Sequence, residues 1–211
     1  MGRTPGDIAP RIIHAARRRF LADGVEGASL RAIAQEARTS IGMIYYYFPT
    51  KDDLFLSVVV EIYVALLEDI EKRLVRTRPV LERVQLLFQR MGTLDADERD
   101  VVRLIIREVL VSRARLDKLI RRFQRGHLPL LFNLVDDAVA EGLFRDDLPV
   151  TLLLAPMIAL AGPTQAMLGQ LRDRLPSAMV PRAQDQTDSL IDVLLNGIGG
   201  EKRQRPARRR R

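Results

Sequence analysis

Apolar residues along the chain recur at spacings of three and four, and no stretch alternates with the period of two that marks a half-buried strand. The pattern predicts an all-α fold of about nine helices. The first covers residues 8–22, with Ile12, Ile13, Ala16, Phe20 and Leu21 inward, Arg17, Arg18 and Arg19 on or beside the polar side, and Gly24 as its stop. Ser29 caps a second helix in which Leu30, Ile33, Ala34 and Ala37 share a face. After a turn at Arg38 and Thr39, Ser40 caps a third, much shorter helix. Its Ile44 and Phe48 point back at Ile33 and Ala37, which leaves Ile41, Gly42, Met43, Tyr45 and Tyr46 for another partner.

Pro49 closes this segment, Thr50 caps the next helix, and Asp52 and Asp53 suit its positive end. That helix is expected over residues 51–76, a rod of roughly 39 Å at 1.5 Å per residue. Pro79 starts another that lasts to about residue 91, with Leu81, Val84, Leu87, Phe88 and Met91 inward; the stretch GTLDADERD then reads as a linker. Helices follow at about 98–112 and 116–141, the second broken or kinked near Gly126 and Pro129 and stopped by Gly142. Residues 149–171 are the most apolar in the chain. Their uninterrupted apolar run is about 14 residues, short of the roughly 18 to 20 that span a bilayer, so burial in protein is expected and no membrane. Pro156 and Pro163 should bend this helix. With a last helix at about 186–198, carrying Leu190, Ile191, Leu194 and Leu195, it can form half of a four-helix interface with a second copy.

Composition narrows the chemistry. Among 211 residues there is no cysteine, which removes disulfides, thiolate metal sites and a cysteine nucleophile. The net charge of +7 points towards nucleic acid, yet its distribution weakens that argument. Residues 1–52 hold eight basic and five acidic side chains, residues 53–200 hold 19 and 21, and residues 201–211 hold seven and one. The tail EKRQRPARRRR, read as a disordered segment, carries most of the excess and is suited to nonspecific attraction to flanking DNA. The N-terminus MGRTPGDIAP has no leading apolar run, which favours the cytoplasm. No acid, base, nucleophile or metal constellation stands out, so an enzyme is not expected, and no cofactor.

The chemistry that remains lies in residues 29–54. A capping hydroxyl, a glycine, three tyrosines and a lysine on a short helix suit insertion into a major groove, with phenols and an ammonium on the phosphates. The positions Ile12-x-x-Ala15-Ala16, Phe20, Gly24, Ser29, Ile33-Ala34, Ser40-x-Gly42, Tyr45-x-x-Phe48 and Lys51-x-x-Leu54 resemble the N-terminal pattern of TetR-family transcriptional regulators. Two positions depart from it. Arg38 stands where the family usually has glycine in the turn, at a cost of roughly 1 kcal/mol if the turn keeps a positive φ, and Thr39 where it usually has valine.

The resemblance implies a three-helix DNA-binding domain over residues 1–52, with Ser29, Arg38, Thr39, Ser40, Ile41, Gly42, Met43, Tyr45, Tyr46, Tyr47 and Lys51 at the DNA. It implies a larger helical domain over residues 53–200 that binds a small molecule and dimerises through its last two helices. Loose nominees for the ligand site are Phe88, Met91, Arg103, Arg107, His127, Phe132 and Gln165, with an apolar or amphipathic effector preferred. Arg103 and Arg107, one turn apart, have the spacing of an anion clamp, but surface pairing with Asp100 and Glu108 is the preferred reading. The function expected is a ligand-responsive repressor on a palindromic operator. A small-molecule binding protein, or a nonspecific DNA-binding protein driven by the tail, is the alternative.

Overall fold

The computed structural model describes residues 7–172, 174–176, 179–180 and 182–198. Among these the chain is helical and has no strand, as its periodicity requires. The helices are α1 (Ile8–Gly27), α2 (Leu30–Glu36), α3 (Ile41–Tyr47), α4 (Lys51–Arg73), α5 (Val80–Gly92), α6 (Ala96–Val111), α7 (Arg113–Phe123), α8 (His127–Ala140), α9 (Val150–Arg172) and α10 (Ala183–Ile198). Ten are seen where about nine were expected, because the segment 116–141 divides in two. The expected linker also turns out to contain a helix start: the Asp95 carboxylate accepts from the Glu98 backbone N–H at 2.8 Å and Glu98 accepts from the Asp95 N–H at 2.9 Å, a reciprocal capping box.

Two compact units are present, one made of residues 1–72 and 93–128, the other of residues 73–92 and 129–211. In the first unit α6 and α7 share the core of the first three helices. Ile12, Ala16 and Phe20 of α1, Ile33 and Ala34 of α2, Ile44 of α3 and Phe55, Val58 and Val59 of α4 form one buried cluster with Val101, Leu104 and Leu119. Phe20 meets Phe55 edge to face at 6.5 Å.

A break in α1 explains why α6 belongs there. Gly24 has φ 77° and ψ 164°, so the helical hydrogen-bond ladder stops and resumes beyond it. The interruption exposes carbonyls of the preceding turn and the N–H of Val25, all of them in a packed region. Two adjacent residues of α6 supply what is missing. Arg107 donates to the carbonyls of Phe20 and Leu21, and Glu108 accepts the Val25 N–H at 3.2 Å. Glu108 is 2% exposed and lies 2.9 Å from the equally buried Arg115, whose guanidinium also reaches Glu26 at 2.8 Å and Asp52 at 3.1 Å. Hydrogen bonding from Arg115 holds the Glu26 carboxyl below the usual range.

Between α7 and α8 the chain turns at residues 124–126. A Cβ on Gly126 would run into the hydroxyl of Tyr63, and Pro129 sits in the first turn of α8, where an N–H has no intrahelical partner to lose. The buried Tyr63 hydroxyl accepts the His127 backbone N–H at 3.1 Å and shares a hydrogen bond of 2.8 Å with its Nδ1. Burial pushes the His127 imidazole down to about 4.

In the second unit α5 packs against α10 and against α9, whose middle is a π turn, Leu160–Thr164. Pro163 has no N–H to return to the preceding turn, and the wider turn absorbs that loss. The Gln165 amide then ties three helices together. Its Nε2 donates to the carbonyls of Phe88 and Ala161 at 2.9 Å each, and its Oε1 accepts from Thr187 at 3.2 Å. Arg83, 3% exposed, and Arg76 share Asp137 at 2.7 and 2.8 Å. Burial works against ionisation of Asp137, but these two hydrogen-bond donors outweigh it and lower its pKa. At 23 residues α9 is the one helix among the described residues long and apolar enough, by length and composition, to cross a membrane; 33% of its most apolar 18-residue window is buried within the chain. The sequence expectation counted only its uninterrupted run, whereas the helix continues through Gly162, Pro163 and Gln165.

Glu108→Ala should cost about 2–4 kcal/mol of unfolding free energy, because it leaves the Val25 amide without its acceptor and takes one of three carboxylates from the buried Arg115. Arg103→Ala, on the same helix but at the surface, should cost about 0.5 kcal/mol or less. Urea unfolding of the full chain distinguishes the two. His127 adds a pH dependence. Its folded pKa of about 4 lies below the ordinary 6.5, so the unfolded chain takes up a proton that the folded chain refuses, and stability falls as the pH drops between these values. In His127→Gln that part of the stability profile should flatten; an unaltered profile would mean that the imidazole titrates normally.

Candidate nucleic-acid interface

The helix-turn-helix is built by local hydrogen bonds that the sequence announces. Ser29 Oγ accepts from the Ala32 N–H at 3.4 Å and Ser40 Oγ from the Met43 N–H at 3.2 Å, so both serines cap as expected. Between them α2 ends in a Schellman turn, with the Arg38 N–H on the Gln35 carbonyl at 3.0 Å and the Thr39 N–H on the Ala34 carbonyl at 2.9 Å. The residue at its bend, Arg38, has φ 51°, the one positive φ among described residues other than glycine. The turn has therefore not adjusted to the arginine. The same two-bond motif closes α8, and there the bend is Gly142 at φ 74°.

α3 buries one side and leaves the other open. Ile44 and Phe48 are buried, Met43 and Tyr47 are half-buried, and Ile41, Gly42, Tyr45 and Tyr46 are exposed, Tyr46 by 76%. Tyr46 stands edge-on to Tyr47 with ring centres 5.1 Å apart. A Cβ placed on Gly42 would meet only Ser40 Oγ, at 3.7 Å, and the residue has no positive φ. Nothing inside the chain calls for glycine there, although glycine weakens a helix by roughly 1 kcal/mol relative to alanine. Lys51 donates to the Glu26 carbonyl at 2.8 Å, which leaves two of its three donors for other acceptors.

The three arginines of α1 act as braces. Arg18 and Arg19 both hold Glu36 of α2, at 2.5 and 2.8 Å, and Arg17 reaches Asp97 of α6 at 2.6 Å. The Arg18 hydrogen bond leads the lowering of the Glu36 pKa. Beside the turn lies an open hollow of about 520 Å³ lined by Pro10, Arg11, His14, Arg18, Glu36, Ala37, Arg38 and Glu61. Arg11 donates across it to the Arg38 carbonyl at 3.5 Å. Sequence reasoning missed this hollow, although Arg11, His14 and Arg18 fall at the three-and-four spacing that marks one face of α1.

The nominated ligand residues divide between the two units. Arg103, Arg107 and His127 belong to the first unit and Phe88, Met91, Phe132 and Gln165 to the second. Arg103 and Arg107 make no clamp, since Arg103 pairs with Asp100 at 2.8 Å and Arg107 turns to the α1 carbonyls. His127 is held by Tyr63, and both ends of the Gln165 amide are engaged internally. Phe88 is fully buried, Met91 is half-buried, and Phe132 is 36% exposed on α8.

Residues 12–58 match the sequence profile of the family described as bacterial regulatory proteins, tetR family. The fatty acid metabolism regulator protein of Bacillus subtilis is 24% identical over 142 residues, which cover 67% of this chain and 73% of that one. The nicotine-responsive transcriptional repressor HdnoR of Paenarthrobacter nicotinovorans is 38% identical over 66 residues, 31% of this chain and 34% of that one. In fold, the chain is similar to the transcriptional regulator FadR from Bacillus subtilis, solved in complex with stearoyl-CoA, with a TM-score of 0.70, 21% identity and coverage of 90% of this chain and 98% of that one. The capped helices, the tight turn between them and the outward face of α3 thus occupy the segment that the profile describes, and residues 12–58 of the chain carry the signature of the tetR family of bacterial regulatory proteins.

Proposed function

We propose that the protein is a repressor which holds a palindromic operator as a two-fold homodimer in the cytoplasm and leaves it when a small apolar or amphipathic effector binds. Residues 1–52 read the DNA; residues 53–200 take the effector and hold the dimer. The observation that carries the reading is the outward face of α3, where exposed phenols surround a glycine that the chain itself does not need. A two-fold pair of such helices meets half-sites one helical turn or more apart.

The apolar side chains that one copy leaves in water support the dimer: Leu152, Ile158 and Met167 on α9 and Val193 on α10. In this reading a second copy covers them, and α9 has no lipid partner. The effector class is supported by relatives whose names concern fatty acid metabolism and nicotine, and by the stearoyl-CoA bound to a protein of the same fold. Release requires that effector bind the off-DNA form better than the operator-bound form.

Arg38→Gly separates a structural role from a DNA role. Relief of the left-handed backbone should stabilise the fold by about 1 kcal/mol. If the guanidinium meets a phosphate, operator affinity falls and the slope of log affinity against log salt shrinks by about 1.8, roughly 0.9 for each of the two protomers. Unchanged affinity and slope would remove Arg38 from the interface. Stearoyl-CoA is the first effector to test. Operator affinity with and without it, and its own affinity with and without operator, should weaken by one common factor. A ligand that free and operator-bound protein hold equally would refute release.

A further inference from the structure

The outward face of α3 is notable for the chemistry it lacks. Ile41, Gly42, Tyr45 and Tyr46 lie on one side of the helix, away from buried Ile44 and Phe48. Ile41 is 39% exposed and Tyr45 52%. None of the four carries a guanidinium, a carboxamide or a carboxylate, the groups that read guanine, adenine and cytosine from the major groove by directed hydrogen bonds. The face offers instead a branched aliphatic side chain, a gap over Gly42 and two phenols.

In the major groove a single base of the four presents an apolar group, thymine with its 5-methyl. The gap at Gly42 lets the helix backbone come close to the base edges, and at that depth the neighbouring Ile41 side chain is the apolar surface available to a methyl. Cations for the phosphates stand outside this face, Arg38 in the turn before α3 and Lys51 after it, so anchoring and reading are divided between different residues.

We propose that the half-site under α3 is read through thymine 5-methyl groups packed on Ile41 and the open backbone at Gly42, so that A·T pairs occupy the positions this helix contacts. The inference rests on the sequence-specific DNA binding proposed above and adds to it the identity of the base. The guanidinium of Arg31 on α2 leaves positions outside the α3 footprint free to be G·C.

The test begins with duplexes that the full chain recovers from random DNA. Each thymine of the half-site is then replaced singly by deoxyuridine, which removes the methyl and keeps the hydrogen-bonding edge. One or two replacements per half-site should each weaken binding about fourfold, the factor for one methyl group's burial. Ile41→Ala, at a partly exposed site where alanine favours helix, should erase the sensitivity at the position Ile41 touches and keep it elsewhere. A recovered half-site with no thymine-sensitive position, or sensitivity that is identical in Ile41→Ala, overturns this inference and leaves sequence-specific binding standing. Recovery of no motif overturns both.

Discussion

A helix that breaks within its own hydrogen-bond ladder must borrow partners, and the break at Gly24 is the constraint on which the DNA-reading unit depends. The loan comes from Arg107 and Glu108 of α6. Glu108 in turn faces Arg115 of α7, and Arg115 reaches Asp52 in the first turn of α4, which follows α3 within a few residues. The circuit closes on itself: the end of α1, the start of α4 and the two later helices meet around one buried guanidinium. Ion pairs in such surroundings add little net stability, but they are costly to break, so they fix an arrangement more than they strengthen it. The reading helices are therefore posed by residues 60 or more positions away in sequence, as well as by their own packing.

Within this posed unit, two neighbouring positions depart from what local stability favours. Arg38 is a side-chain-bearing residue in a left-handed bend, whereas the same turn at the end of α8 uses glycine. Gly42 is a glycine in a helix where a Cβ would fit. Each choice costs roughly 1 kcal/mol, and no internal contact offsets either. They flank Ser40, which caps α3, and both face solvent. Local rules broken together at one surface place mark a site shaped for a partner. The charge distribution fits this division, since the excess in residues 1–52 is modest and no acidic or basic side chain lies on α3 itself. In the proposed reading, affinity and sequence preference have different carriers.

Much of this was legible in the sequence because its causes are local. A serine before an apolar run caps a helix, and Ser29 and Ser40 do so; the three-and-four spacing placed Ile33, Ile44 and Phe48 inside. The strain at Arg38 followed from asking which residue tolerates a left-handed bend. What escaped depends on distant partners. Arg107 reads as a surface arginine beside Glu108, yet it also has carbonyl acceptors 86 and 87 residues away. Gln165 looked like a polar group for a ligand, and Phe88 and Thr187 consume it from two other helices. The capping box at Asp95 was a local signal, but a run of acidic residues after a glycine reads equally well as linker. The tail, residues 201–211, and the N-terminal residues 1–6 lie outside the described residues, so the roles expected of them rest on composition alone.

The most direct test of sequence reading by α3 is selection from a random duplex library at moderate salt, performed with the full chain and with a form ending at residue 200. The account predicts the same palindromic motif in both, since the reading face is intact and the basic tail contributes only nonspecific attraction. Enrichment of no motif, or loss of enrichment when the tail is absent, would contradict it.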